Sequence, residues 1–84
     1  VGFTSERVRA DLEEAGVQVS AEERDDKEHE TRFYASHGEY RVMIAVSDDG
    51  YLALAFEGGR RSVIRSIETY AKRVAHFLAT GEET

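Results

Sequence analysis

Eighty-four residues with a formal charge of −6 and no cysteine leave room for one domain, spanning 1–84, with a small core, since a chain of this size buries only about 60–65% of the surface its unfolded form exposes. The composition excludes disulfide and thiolate chemistry, and no apolar run approaches the ~20 residues that cross a bilayer, so a cytoplasmic protein without a membrane partner is expected. The charge is uneven: residues 21–30, AEERDDKEHE, carry −4 and residues 31–78 carry +2, which disfavours nonspecific attraction to nucleic acid but still allows a local basic patch.

The spacing predicts a short first helix. Thr4 or Ser5 can cap it by offering a side-chain oxygen to the first-turn amides. Val8, Leu12 and Ala15 form one apolar stripe. Gly16 fits the left-handed position that closes a helix, and Val17 can fold back onto the last turn. Val17 and Val19 then begin a strand. The acidic segment 21–30 is read as a hairpin with the loop Asp25–Asp26–Lys27, pairing Val19 with Phe33 and Val17 with Ala35. A two-residue loop would turn Val19 to the wrong side.

His37-Gly38 resembles an Asn-Gly type I′ turn and would pair Ala35 with Tyr40 and Phe33 with Val42. Asp48-Asp49-Gly50 fits a three-residue turn with a glycine bulge, pairing Val46 with Leu52, Ile44 with Leu54 and Val42 with Phe56. Both turns put the same residues on one face: Phe33, Ala35, Tyr40, Val42, Ile44, Val46, Leu52, Leu54 and Phe56. Gly58-Gly59 ends the sheet. A long helix is predicted over about 60–79, because Val63, Ile64, Ile67, Tyr70, Ala71, Val74, Phe77 and Leu78 fall within roughly 140° of its circumference. Gly81 can end it, and residues 80–84 should fray. The expected fold is α+β: two layers in the order α-β-β-β-β-α, a four-stranded antiparallel meander with both helices on one face.

Chemistry-bearing patterns are sparse. His29, His37 and His76 have no metal-ligand spacing. Asp48-Asp49-Gly50 lacks the length and the closing glutamate of a calcium loop. Gly58-Gly59 lacks the lysine and hydroxyl that complete a phosphate loop. Ser20, Ser36, Ser47, Ser62 and Ser66 have no base partner at motif spacing, and the hairpin carboxylates read as solvated. No catalytic residue, metal or cofactor is expected, and the chain is not read as an enzyme.

Two surfaces stand out. Arg60, Arg61 and Arg65 fall at the start of the predicted long helix, where the helix dipole disfavours cations. They are candidates for contact with an anion or nucleic acid. The order of elements and the turn EGGRR resemble the double-stranded-RNA-binding domain, in which basic residues at the last helix start grip phosphates, although four strands are expected here where that domain has three. LEEAGVQV and the meander GEYRVMIAVSDDGYLALAF are similar to YbjN-like and type III secretion chaperone domains, which implies a dimerising binding surface. Neither likeness rests on a diagnostic motif, and no family is assigned. The second surface is the sheet face away from the helices, with Arg32, Tyr34, Arg41, Met43, Ala45, Tyr51, Ala53 and Ala55. Tyrosine, methionine and arginine are the types enriched in protein interfaces. Tyr34, Arg41, Met43, Tyr51, Ala53 and Ala55 are therefore the candidate partner-binding residues. The expected function is a small interaction module (a regulator, inhibitor or chaperone-like adaptor) that binds a protein partner or a second copy of itself, with nucleic-acid binding through the basic helix as the alternative.

Overall fold

A computed structural model describes residues 2–56, 61–64 (as backbone) and 70–81. Helix α1 spans Ser5–Glu14. It is followed by β1 (Val19–Asp25), β2 (Glu30–His37), β3 (Tyr40–Ser47), β4 (Leu52–Phe56), β5 (Arg61–Ile64) and helix α2 (Tyr70–Thr80). Strands β1 to β4 form the expected antiparallel meander, and the α-β-β-β-β-α order and the α+β class are observed. Strand β5 lies antiparallel beyond β4, so the sheet order is β1-β2-β3-β4-β5.

This fifth strand corrects the expected helix over 60–79. Backbone at Arg61–Ile64 pairs Leu52 with Ile64 and Leu54 with Ser62, and helix begins at Tyr70. Val63 and Ile64 are β-branched, which favours extended backbone, and pairing them spares the largely buried β4 from becoming an open edge. The Gly58-Gly59 break, Ile67 and the last three residues of the frayed tail lie outside the described residues.

Local signals behave as the residue types require. The Thr4 side chain accepts from the Arg7 amide at 3.2 Å and caps α1. At the other end the Val17 amide donates to the Leu12 carbonyl at 2.8 Å and the Gly16 amide to Glu13 at 3.0 Å. With Gly16 at φ +82°, this is a Schellman closure.

The β3–β4 register matches expectation, with Val42 opposite Phe56, Ile44 opposite Leu54 and Val46 opposite Leu52. The β2–β3 register is shifted by two residues. Ala35 pairs with Val42 and His37 with Tyr40, because the turn residues are Gly38 and Glu39, with Gly38 at φ +62°. A first turn position with positive φ suits a type II′ hairpin. The shift is even, so every side chain keeps its face. In β1–β2, Val19 meets Ala35 where Phe33 was expected, Asp25 pairs with Glu30, and the loop is 26–29 where 25–27 was expected. A bulge between Val19 and Ala21 reconciles the two ends. The register beyond it would set Val19 opposite Ser36, on the wrong face; the extra residue restores the apolar side.

The core lies between one sheet face and both helices. Val8, Leu12, Phe33, Ile44, Leu52, Leu54, Tyr70 and Val74 are at most 1% exposed, and Phe56 and Phe77 meet with ring centroids 4.8 Å apart. Tyr70 ties the helices together. Its ring stands edge-on to Phe3 at 5.4 Å and its hydroxyl donates to Asp11 of α1. Burial, with the Asp11 carboxylate second, pushes the phenol far above its ordinary range, so it stays a neutral donor. At the opposite end His37 Nδ1 lies 3.1 Å from the Leu78 carbonyl. A carbonyl only accepts, so Nδ1 carries the proton, and the β2–β3 turn satisfies the end of α2. Among the described residues no helix is long and apolar enough to cross a membrane.

Tyr70→Phe should cost about 1–2 kcal/mol in urea unfolding, the worth of a hydrogen bond to a charged acceptor less what water returns to half-exposed Asp11. A double-mutant cycle with Asp11→Ala should show coupling of comparable size.

Candidate functional site

The second face of the sheet carries neither helix. Cross-strand partners arrange its central strands in rows. Arg32, Ala45 and Ala53 form one row; Tyr34, Met43 and Ala55 form the next; Ser36 and Arg41 lie beyond that. At the other end Glu30 faces Ser47, and the Ser47 amide donates to the Tyr51 carbonyl at 2.8 Å, which places Tyr51 in the same row by strand alternation. The six residues expected to bind a partner, Tyr34, Arg41, Met43, Tyr51, Ala53 and Ala55, are thus brought to one face. Ala45 and Ala53 are 1% and 7% exposed although neither α1 nor α2 lies on this face. Tyr51 is 59% exposed and is the one large hydrophobic residue so open among the described residues.

The face is not flat. A shallow concavity of about 500 Å³ is lined by Tyr34, Met43, Ala55, Arg41, Ser20 and Ser36. Its β1 wall is set by the bulge, where the Ser20 hydroxyl donates to the Tyr34 carbonyl at 3.0 Å. Ser20 and Ser36 were not read as site residues. The bulge that brings Ser20 there has no glycine or other sequence mark. Ser36 was legible, since it alternates with Tyr34 along β2.

The opposite end is charged. Arg32 reaches three carboxylates: Glu30 at 2.6 Å, Asp25 at 2.7 Å and Glu23 at 3.2 Å. Its side chain is only 20% exposed and that of Glu30 8%, so this is a half-buried ionic cluster on the sheet. Arg24 makes a fork with Asp48, both contacts at 2.7 Å, and also meets Asp26 at 3.1 Å. It fastens the acidic hairpin to the β3–β4 turn, where the Asp48 amide also donates to the His29 carbonyl at 2.9 Å. Arg9 of α1 pairs with Glu22, which falls on the helix side opposite Phe33. The hairpin acids read as solvated are therefore largely partnered by arginines 9, 24 and 32.

Of the basic residues 60, 61 and 65, the structure describes one. Arg61 lies in β5, the helix starts nine residues later, and Arg60 and Arg65 lie outside the described residues. Arg61 is thus in a strand and not at a helix N-terminus. Among the described residues no group of three or more histidine, aspartate or glutamate side chains is arranged to hold a metal. Comparison with known protein families, with characterised proteins and with solved structures finds no match.

The ionic links set a pH dependence. The Asp48 carboxyl is held below the ordinary carboxylate range, chiefly by the hydrogen bond from Arg24. Asp25 is lowered too, first by the Glu28 amide and then by Arg32. A depressed carboxyl contributes stability that is present in full above its unfolded pKa of about 4 and is lost as the pH falls through the folded value. Thermal unfolding should therefore be flat from neutral pH to about 5 and fall below about 4. Asp48→Asn should lower the midpoint at neutral pH and reduce the acid-dependent fall.

Proposed function

We propose that the protein is a non-catalytic interaction module that works as a homodimer through the open sheet face, acting as a regulator, an inhibitor or a chaperone-like adaptor. The observation that carries this reading is the one-sidedness of the sheet. Both helices pack on the side of Phe33, Ile44 and Leu54, while Tyr34, Met43, Ala45, Ala53 and Ala55 form an apolar centre on the other. Tyr34, Met43 and Ala55 are partly exposed and Tyr51 more so, and exposed apolar residues grouped on one face are characteristic of contact regions. Tyrosine and methionine supply adaptable area at its middle, and arginines stand at its margin. The half-buried carboxylates around Arg32 argue against a nucleic acid as the occupant, since phosphates would meet Glu23, Asp25 and Glu30 at close range.

Light scattering coupled to size exclusion tests the reading. The chain should run at twice its 9.4 kDa mass at high concentration and dissociate on dilution. Met43→Glu should give a monomer with an unchanged circular dichroism spectrum, because Met43 is only partly buried. A wild-type monomer at millimolar concentration, indistinguishable from Met43→Glu, would remove the reading.

A further inference from the structure

The open face carries a knob and a hole at opposite ends. Tyr51 is the knob, 59% exposed in the row of Glu30 and Ser47. The hole is the concavity of about 500 Å³ between Tyr34, Met43, Ala55 and Arg41. Arg41 and Ser47 mark the two ends on β3, six residues apart, which is roughly 20 Å along a strand. No symmetry within one chain can bring them together. A two-fold axis lying between two stacked sheets, perpendicular to the strands and passing near Met43 and Ala45, exchanges the ends. We propose that a second copy of this chain lies on the open face with its strands running antiparallel to the first, so that Tyr51 of each copy enters the concavity of the other.

The arrangement rests on the homodimer reading and adds its orientation and its anchor. Shape is the first argument. A two-fold interface must be complementary to itself, and one protrusion with one recess, displaced to either side of the centre, meets that requirement only in the antiparallel stack. Charge is the second. Among the described residues the Tyr51 end carries Glu23, whose side chain is 57% exposed, and Asp25 beside Arg32. The concavity end holds Arg41, exposed and making no ion pair among the described residues, with Glu39 in the adjoining turn. Antiparallel stacking brings Arg41 of each copy toward the other's carboxylates. A stack about an axis along the strands would set the two carboxylate ends together.

Area is the third argument. Strand spacings give the face a footprint of roughly 20 × 23 Å, and with Ala45 and Ala53 already shielded a stack buries an area at or below the lower limit for a specific interface. At that size one or two buried aromatic anchors decide whether association is measurable. Tyr51 has the ring, and the concavity offers it Met43, Tyr34 and a guanidinium, partners suited to sulfur–aromatic and cation–π contact.

The chain has no tryptophan and no cysteine, so single reporters are unambiguous. Tyr51→Trp should show emission moving to shorter wavelength as concentration rises through dimerisation. Tyr51→Ala should raise the dissociation constant at least about tenfold with an unchanged circular dichroism spectrum. A bismaleimide spanning the roughly 10 Å between stacked sheets should join Arg41→Cys copies to Ser47→Cys copies in a mixture and leave Arg41→Cys copies alone unjoined. A dimer abolished by Met43→Glu yet indifferent to Tyr51→Ala, with Arg41→Cys copies joined to each other, would overturn this arrangement while leaving the face as the interface. A monomer at all concentrations would overturn both.

Discussion

Phe33, Ile44 and Leu54 stand side by side in one cross-strand row, and none is exposed to solvent. That row is the constraint from which the rest of the structure follows. Strand side chains alternate strictly, so burying these three fixes the facing of every other residue in β2, β3 and β4. It sends Tyr34, Met43, Ala45, Ala53 and Ala55 to the far side, whether or not anything is there to receive them. The helices complete the buried side through Leu12, Tyr70, Val74 and Phe77. With two helices and one sheet there is no third layer among the described residues, so neither α1 nor α2 lies on the second face.

The charged half of the molecule answers to the same constraint. A hairpin carrying AEERDDKEHE has almost no apolar reason to order itself, and Val19 is the one residue of β1 packed against the core. Order comes instead from arginines placed opposite acids by the register. Arg32 faces Glu23 across β1–β2 and gathers the cross-strand pair Asp25 and Glu30 from the next row. Arg24 reaches past β2 to Asp48 in another turn. Each exposed pair alone contributes little, but two forks that bridge three chain segments hold a shape that a run of like charges would otherwise resist. The bulge at Ser20 belongs to this arrangement. It allows the outer hairpin to keep the register in which Arg32 meets its acids while Val19 keeps its place against the core.

How much of this was legible follows from what each turn writes into the sequence. Asp48-Asp49-Gly50 has one reading, and the β3–β4 register follows to the residue. His37-Gly38-Glu39 admits two two-residue turns differing by one position; the choice moves each partner by two and leaves the faces unchanged, so the core was legible where the pairing was not. The hairpin loop and the bulge compensate for each other, and neither leaves a glycine to mark it. The pair Val63-Ile64 has no period of its own. Adjacent apolar residues suit a helix stripe and a buried strand equally, and only the need of β4 for a second neighbour decides. The basic helix start depended wholly on that choice. The six residues of the open face depended only on alternation, which is why all six fall together.

Whether an open face is a working surface turns on what its residues would cost if left bare. Ala45 and Ala53 at the centre are already shielded from water, so covering them gains little. Tyr51 is different. It sits at a turn, outside the core, with its backbone secured by Ser47 on both sides. Its backbone position therefore needs nothing from the ring, and a small polar residue would serve the turn as well. A large exposed ring on a secured backbone, on the same face as a recess of about 500 Å³ lined by methionine, tyrosine and arginine, has its backbone freedom already reduced before any partner arrives. Association then loses less entropy than it would with a mobile backbone. The proposed pairing of the Tyr51 end with the Arg41 end of a second copy draws on this backbone preorganisation more than on total apolar area.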